Sequence, residues 1–204
     1  MNSRTNSQHL NMPLIYKFCY FFGCILLLGF WGCGTTSESD QSTSEDYALD
    51  ENVDYSREIQ FWETILGDYQ DAMFRGISLG DTREKVQITE TFDLFEEMPW
   101  QIGYTHDTQD LETVDVFYLF SEDNRVSEIK VDIYLNGDES TDRMWAVVGR
   151  HFNINWGEPL ESSDDLQIWE NHSVRVEVEN VSGKIDNGLK IRFSTPFSTR
   201  LTHN

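Results

Sequence analysis

Apolar residues recur at helical spacing from Ile59 through Trp62, Ile65, Leu66 and Tyr69 to Met73, which predicts an amphipathic helix over 57–73. Gly76-Ile77-Ser78-Leu79-Gly80 interrupts that pattern. Asp81-Thr82-Arg83-Glu84 has the form of a capping box, with Asp81 accepting from the backbone and Glu84 reaching back, so a second helix is expected from Thr82 to about residue 95, stopped by Pro99. The period then changes to two. Residues 101–106 are a modest strand candidate, and 114–120 (VDVFYLF) is apolar on both faces at its centre, the mark of a central strand. Residues 126–135 alternate cleanly, Ile129, Val131, Ile133 and Leu135 against Glu128, Lys130, Asp132 and Tyr134. Asp123-Asn124 supplies the turn between these two strands. Met144, Trp145, Val147, Val148, Phe152 and Ile154 predict another helix over 139–155, stopped by Gly157 and Pro159. Three strands are expected after it, at 166–169, 173–181 and 189–194.

The order is therefore a first helix, then a helix with three strands, twice over. Helices separated from runs of antiparallel strands mean an α+β fold, an antiparallel sheet with helices packed on one face. Such a sheet needs only one apolar face. The other would carry Glu128, Lys130, Asp132, Tyr134, Arg175, Glu177, Lys190 and Arg192, and mixed charges with an aromatic suit an electrostatically tuned contact with a protein partner.

Upstream of residue 56 the chain has another character. Lys17 precedes an uncharged 16-residue run, FCYFFGCILLLGFWGC, which has the layout of a secretory signal and falls short of the ~20 apolar residues of a spanning helix. Met12 is an alternative start. Residues 34–47 (GTTSESDQSTSEDY) are too polar to offset their ordering entropy. The expected organisation is a signal peptide over 1–32, an acidic linker over 33–55 and one α+β domain over 56–200. Of the 204 residues, 15 are Lys or Arg and 36 are Asp or Glu, a formal charge of −21. Arg4 and Lys17 are the only bases before Glu38, so the part after Gly32 carries 13 bases and 36 acids, or −23. Phosphate backbones repel such a body, which argues against nucleic-acid binding.

The three cysteines, Cys19, Cys24 and Cys33, all precede the domain, which excludes a disulfide or thiolate metal site within it. Cys33 stands between Gly32 and Gly34, where the apolar run stops. This junction resembles the lipobox of bacterial lipoproteins, although Phe30 and Trp31 stand where that family favours an aliphatic and a small residue. The resemblance implies a diacylated Cys33 as first residue of the mature protein, a bilayer as its anchor, and an address in the cell envelope at the outer membrane. Acids soon after a lipidated cysteine also resemble surface-export signals of some diderm bacteria. In the domain, Leu79-Gly80-Asp81-Thr82 with Val86, and Trp156-Gly157-Glu158-Pro159, resemble motifs of the outer-membrane lipoprotein domains related to the BamE family and of the tandem-repeat β-lactamase-inhibitor-protein fold. Glu97 stands where those families have Gly before Pro99. The resemblance implies a non-enzymatic, protein-binding role without a cofactor.

The competing expectation is a secreted hydrolase or glycan-processing protein. Gly76-Ile77-Ser78-Leu79-Gly80 is formally G-x-S-x-G, but a nucleophile elbow needs a buried strand before the serine and a helix directly after it. A helical pattern precedes Ser78 instead. The acidic runs at 107–110, 138–142 and 161–165 lack the spacing of a calcium loop. His106-Asp107 on a strand points two ways. Trp100, Trp156 or Trp169 would serve a glycan platform, while core packing accounts better for the tryptophans other than Trp100.

Overall fold

A computed structural model describes residues 48–67, 72–183 and 186–196 of the chain, and the N-terminal run with Cys33 lies outside them. The first helix, α1 (Ser56–Leu66), buries Phe61, Trp62, Ile65 and Leu66. It stops at Gly67, at a positive φ of 59°, rather than continuing to Met73. Just upstream, Leu49 and Tyr55 pack partly buried against the core. The second helix, α2 (Arg83–Thr89), is capped one residue later than expected, with Thr82 Oγ1 accepting from the Lys85 amide. Asp81 instead accepts from the Ser78 amide at 2.7 Å and from Lys85 Nζ at 2.8 Å.

The expected helix over 82–95 is corrected. Glu90 ends α2, its carboxylate accepting from the amides of Thr91 (2.7 Å) and Phe92 (3.0 Å), and the chain enters a strand, β1 (Asp93–Met98). Then follow β2 (Gln101–Asp107), β3 (Thr113–Phe120) and β4 (Val126–Tyr134). Asn124 holds the turn between the last two at a φ of 64°. The long helix α3 (Asp138–Trp156) leads into β5 (Glu161–Ser162), β6 (Leu166–Glu170), β7 (Arg175–Asn180) and β8 (Gly188–Ser194). α2 and α3 are thus each followed by four strands, one more than the periodicity predicts.

All eight strands form one antiparallel sheet in the order β1-β2-β3-β4-β8-β7-β6-β5. Two meanders meet through their last strands, β4 against β8, with Val131 opposite Ile191 and Asp132 opposite Lys190. The architecture is α+β, as the strand and helix patterns imply. One side of the sheet supplies Ile102, Tyr104, Val114, Val116, Tyr118, Ile129, Val131, Ile133, Val176, Val178, Leu189, Ile191 and Phe193 to a single buried cluster. Val86 of α2 and Met144, Val147, Val148 and Phe152 of α3 join it, and α1 packs on α3. No helix of the described residues is long and apolar enough to cross a membrane.

One polar contact ties the helical layer to the sheet, and a half-buried imidazole packs within that layer. Trp169 Nε1 donates to Asn153 Oδ1 (3.0 Å), tying β6 to α3. His151 sits edge-on to Trp62 and Phe152, with ring centroids 5.5 and 5.2 Å away. Burial lowers its pKa to about 4, whereas an unfolded imidazole titrates near ~6.5. Between those values the unfolded chain binds a proton that the folded one does not. This contribution to stability is fully present above about pH 6.5 and is lost as the pH falls toward 4. Urea midpoints should fall less between pH 7 and pH 5 in His151→Gln than in the wild type; parallel falls would show that the imidazole is protonated in place.

Candidate functional site: the open face of the sheet

The period-two alternation that buries one side of each strand turns every second residue to the other side, and the register lines these residues up. On β4, Glu128, Lys130, Asp132 and Tyr134 lie opposite Leu119, Phe117, Asp115 and Thr113 of β3. Across the seam they face Ser194, Arg192, Lys190 and Gly188 of β8. Arg192 faces Glu177 of β7, and Arg175 faces Ser194 and, on β6, Glu170. All eight residues expected on the polar face therefore share one side of the sheet. Their centre is a hollow of about 450 Å³, lined by Gln101, Phe117, Lys130, Asp132, Leu166, Glu177, Glu179, Lys190 and Arg192 among others.

The charges on this face are paired within and across strands. Arg192 Nη2 lies 3.1 Å from Glu177, and its Nε lies 3.9 Å from Glu128, which Lys130 approaches at 3.5 Å. Arg175 bridges Glu170 (3.1 Å) and Glu177 (2.8 Å). Lys190 reaches Asp132 at 3.9 Å. Asp132 also stands opposite Asp115, a like-charge pairing that is normally unfavourable. Burial raises the Asp132 pKa and Asp115 raises it further, against the lowering effects of Lys190 and Lys130. Tyr134 is pushed up as well, by burial first and then by Asp132 and Asp115. A cation offered by a partner at the Asp115–Asp132 pair would relieve this repulsion.

Sequence patterning missed the aromatic end of the face. The apolar pattern predicts helix as far as about residue 95, which puts Phe95 on a helix rather than on the sheet. A shift of register between Leu94 and Glu96 turns the Phe95 ring over Gly103, 2.8 Å from where a Cβ would stand. The ring meets Phe117 edge-on at 5.6 Å. Any side chain at position 103 would lift this ring, so Gly103 is needed there for close approach. Phe117 and Leu119 are the apolar residues that made the centre of β3 look buried on both sides; one set faces the core and the other lines the open face.

The remaining candidates fall elsewhere. Ser78 lies in the connection between the Phe74–Ile77 bridge and α2, its Oγ accepting from the Met73 amide at 3.2 Å, with no named strand leading into it. His106 stacks on Phe92 at 4.7 Å, while Asp107 accepts from Thr113 Oγ1 at 2.7 Å. Among the described residues no three Asp, Glu, His or Cys side chains converge as a metal-ion site. Trp62 and Trp169 are buried, Trp145 and Trp156 pack partly buried against the core, and Trp100 is exposed. No family model, curated protein or solved structure matches this chain.

Proposed function

We propose that the protein is a membrane-tethered, non-catalytic binding or assembly module of the bacterial cell envelope, anchored at the outer membrane through acylated Cys33, and that the open sheet face contacts a protein partner. One observation carries the reading: among the described residues no helix covers the second side of the eight-stranded sheet, which combines a hollow, cross-strand ion pairs and the Phe95–Phe117 aromatic pair. Aromatic anchors with charges at their margin give a contact both affinity and selectivity. The like-charge pair Asp115–Asp132 fits a partner that presents a basic side chain there.

The test uses the full chain in its own envelope with a photo-crosslinking residue placed singly at Phe117 or Tyr134 on the open face, and at Ile59 or Ile154 on the helical side. Discrete adducts are expected from the first pair alone, and they should weaken in Lys190→Gln with Arg192→Gln. Both of those side chains are about half exposed, so the melting temperature should hardly move, since exposed ion pairs contribute only ~0–1 kcal/mol. Adducts from the helical positions alone would refute the assignment of the face. In parallel, intact mass should show loss of residues 1–32 with gain of two acyl chains, and Cys33→Ala should stay uncleaved; a wild-type chain retaining residues 18–32 would refute the anchor.

A further inference from the structure

The strand order leaves two edges. β5, at one end, has only two residues. β1, at the other, has six and is exposed almost throughout. In an antiparallel pair, alternate residues of an edge strand aim N–H and C=O away from their partner. A free edge of this kind is a template for another strand, and proteins usually shorten, cover or charge it.

The surroundings of β1 are unusually apolar. Among the described residues, four of the ten exposed large apolar side chains lie on β1 or in the turn that follows it: Leu94 (54% exposed), Phe95 (48%), Met98 (39%) and Trp100 (60%). Register places two of them on opposite sides of the edge. Leu94 is opposite Tyr104, on the helical side, whereas Met98 is opposite Gln101, on the open side. The helical layer does not cover them; α2 reaches only the far end of the strand, with Arg83 Nη2 donating to the carbonyls of Met98 (3.0 Å) and Pro99 (2.6 Å) and Gln87 Nε2 donating to Glu97 (3.0 Å).

Charge selects the occupant. β1 reads DLFEEM, with three acids and no base. A second copy pairing edge to edge would set those acids against the same three acids, on a chain that already carries −21. We propose that β1 is a strand-addition site for an extended peptide segment of a partner in which basic and apolar residues alternate. Main-chain hydrogen bonds to the free edge supply affinity, the partner's bases meet Asp93 and Glu96 on the open side, and its apolar side chains lie along Leu94 and Trp100. β1 shares Phe95 with the aromatic end of the open face, but neither Leu94 nor Trp100 lines its hollow, so variants at those two positions test the edge apart from that face.

The test uses the full chain in nanodiscs of neutral lipid. The probe is an end-blocked peptide of about ten residues alternating Lys and Val, and its control has the same charge with two valines replaced by proline, which removes edge hydrogen bonds. The alternating peptide should bind saturably, at least about tenfold tighter than the proline control, and should slow amide exchange in residues 93–98. Leu94→Asn with Trp100→Asn, both at exposed positions, should weaken binding about tenfold without shifting the melting temperature. Equal binding of the two peptides would mean attraction of charge alone and would overturn the proposal. So would no saturation up to about 1 mM, or unchanged exchange in 93–98 on the wild-type chain. Self-association of the chain that disappears in the double variant would overturn it in favour of a second copy.

Discussion

Replacing Arg75 by methionine is expected to destabilise the fold by about 3–5 kcal/mol, the cost of leaving a buried carboxylate without its partner. Arg75 is buried, at a positive φ of 51°. Its Nε and Nη2 hold the Glu90 carboxylate at 2.8–2.9 Å, and Nη2 also donates to Thr91 Oγ1 at 2.8 Å. Nη1 donates to the carbonyls of Thr64 (2.9 Å) and Ile65 (3.1 Å), and the guanidinium lies 3.6 Å over the Phe92 ring. A cation thus satisfies the last carbonyls of α1 and offsets an anion placed at the end of α2, where the helix dipole disfavours it. Tyr118 of β3 completes the set, donating to Glu90 Oε2 at 2.6 Å. Burial of Glu90 pushes its carboxyl up, but the bonds and charge of Arg75, with Tyr118 and the Phe92 amide, outweigh this and hold it below the ordinary value. Burial, and then Glu90, raise the Tyr118 phenol well above its own.

The sign of the pH dependence separates this account from simple loss of packing. In the wild type, the lowered Glu90 pKa contributes stability that is present above the unfolded value, near ~4.3, and lost as the pH falls through the folded value. In Arg75→Met the buried carboxyl has lost its cation, its pKa rises above the unfolded value, and protonation on acidification relieves the strain. The penalty measured by urea unfolding should therefore shrink between pH 7 and pH 5. Adding Glu90→Leu and Tyr118→Phe should recover part of the loss, because it removes the unpaired carboxylate and its phenol partner, while the Thr64 and Ile65 carbonyls and the Thr91 and Phe92 amides still lose these bonds. A penalty that is constant with pH and unrelieved by the triple change would refute the electrostatic explanation.

Sequence reading finds what period two and helical spacing encode, and loses what distant contacts decide. The alternation in 126–135 and 189–194 suffices to place Glu128, Lys130, Asp132, Lys190 and Arg192 on one face, because a side-chain period of two leaves no other arrangement once Ile129, Val131, Leu189 and Ile191 are buried. β1 escapes because Leu94 and Phe95 are adjacent: the register shift breaks the alternation, and a pair of neighbouring apolar residues after a capped helix looks like more helix. The aromatic end of the open face is lost with it. Arg75 and Glu90, fifteen residues apart on separate connections, carry no mark in sequence that distinguishes a buried pair from surface charges. Ser78 illustrates the converse: the motif is present in letters, but the helix before it and the turn around it remove the geometry that gives it chemical meaning.

The seam between the two meanders makes the second demanding prediction. Gly188 opens β8 opposite Tyr134, at a φ of 155°, and an added Cβ would stand 1.9 Å from the Ile133 carbonyl oxygen and 3.0 Å from its carbon. Those atoms are backbone of the central strand β4, which cannot turn aside as a side chain does. Neighbouring main-chain bonds fix them further: the Leu135 amide donates to Asn187 O (2.9 Å) and the Val181 amide to Gly188 O (3.0 Å). Gly188→Ala must therefore part β4 from β8 locally, at a cost of about 3 kcal/mol or more, combining backbone strain with lost pairing. Gly157, at a φ of 84° after α3, is the matching control; a Cβ there would meet nothing within 4 Å, so Gly157→Ala carries only the conformational strain, about 1–3 kcal/mol. Hydrogen exchange locates the damage. In Gly188→Ala the loss of protection should begin at residues 133–135 and 187–189, whereas in Gly157→Ala it should be confined to the end of α3. Equal destabilisation by the two substitutions, with protection at the seam unchanged, would mean that β8 accommodates the methyl group and that the close approach at Ile133 does not set the join between the two halves of the sheet.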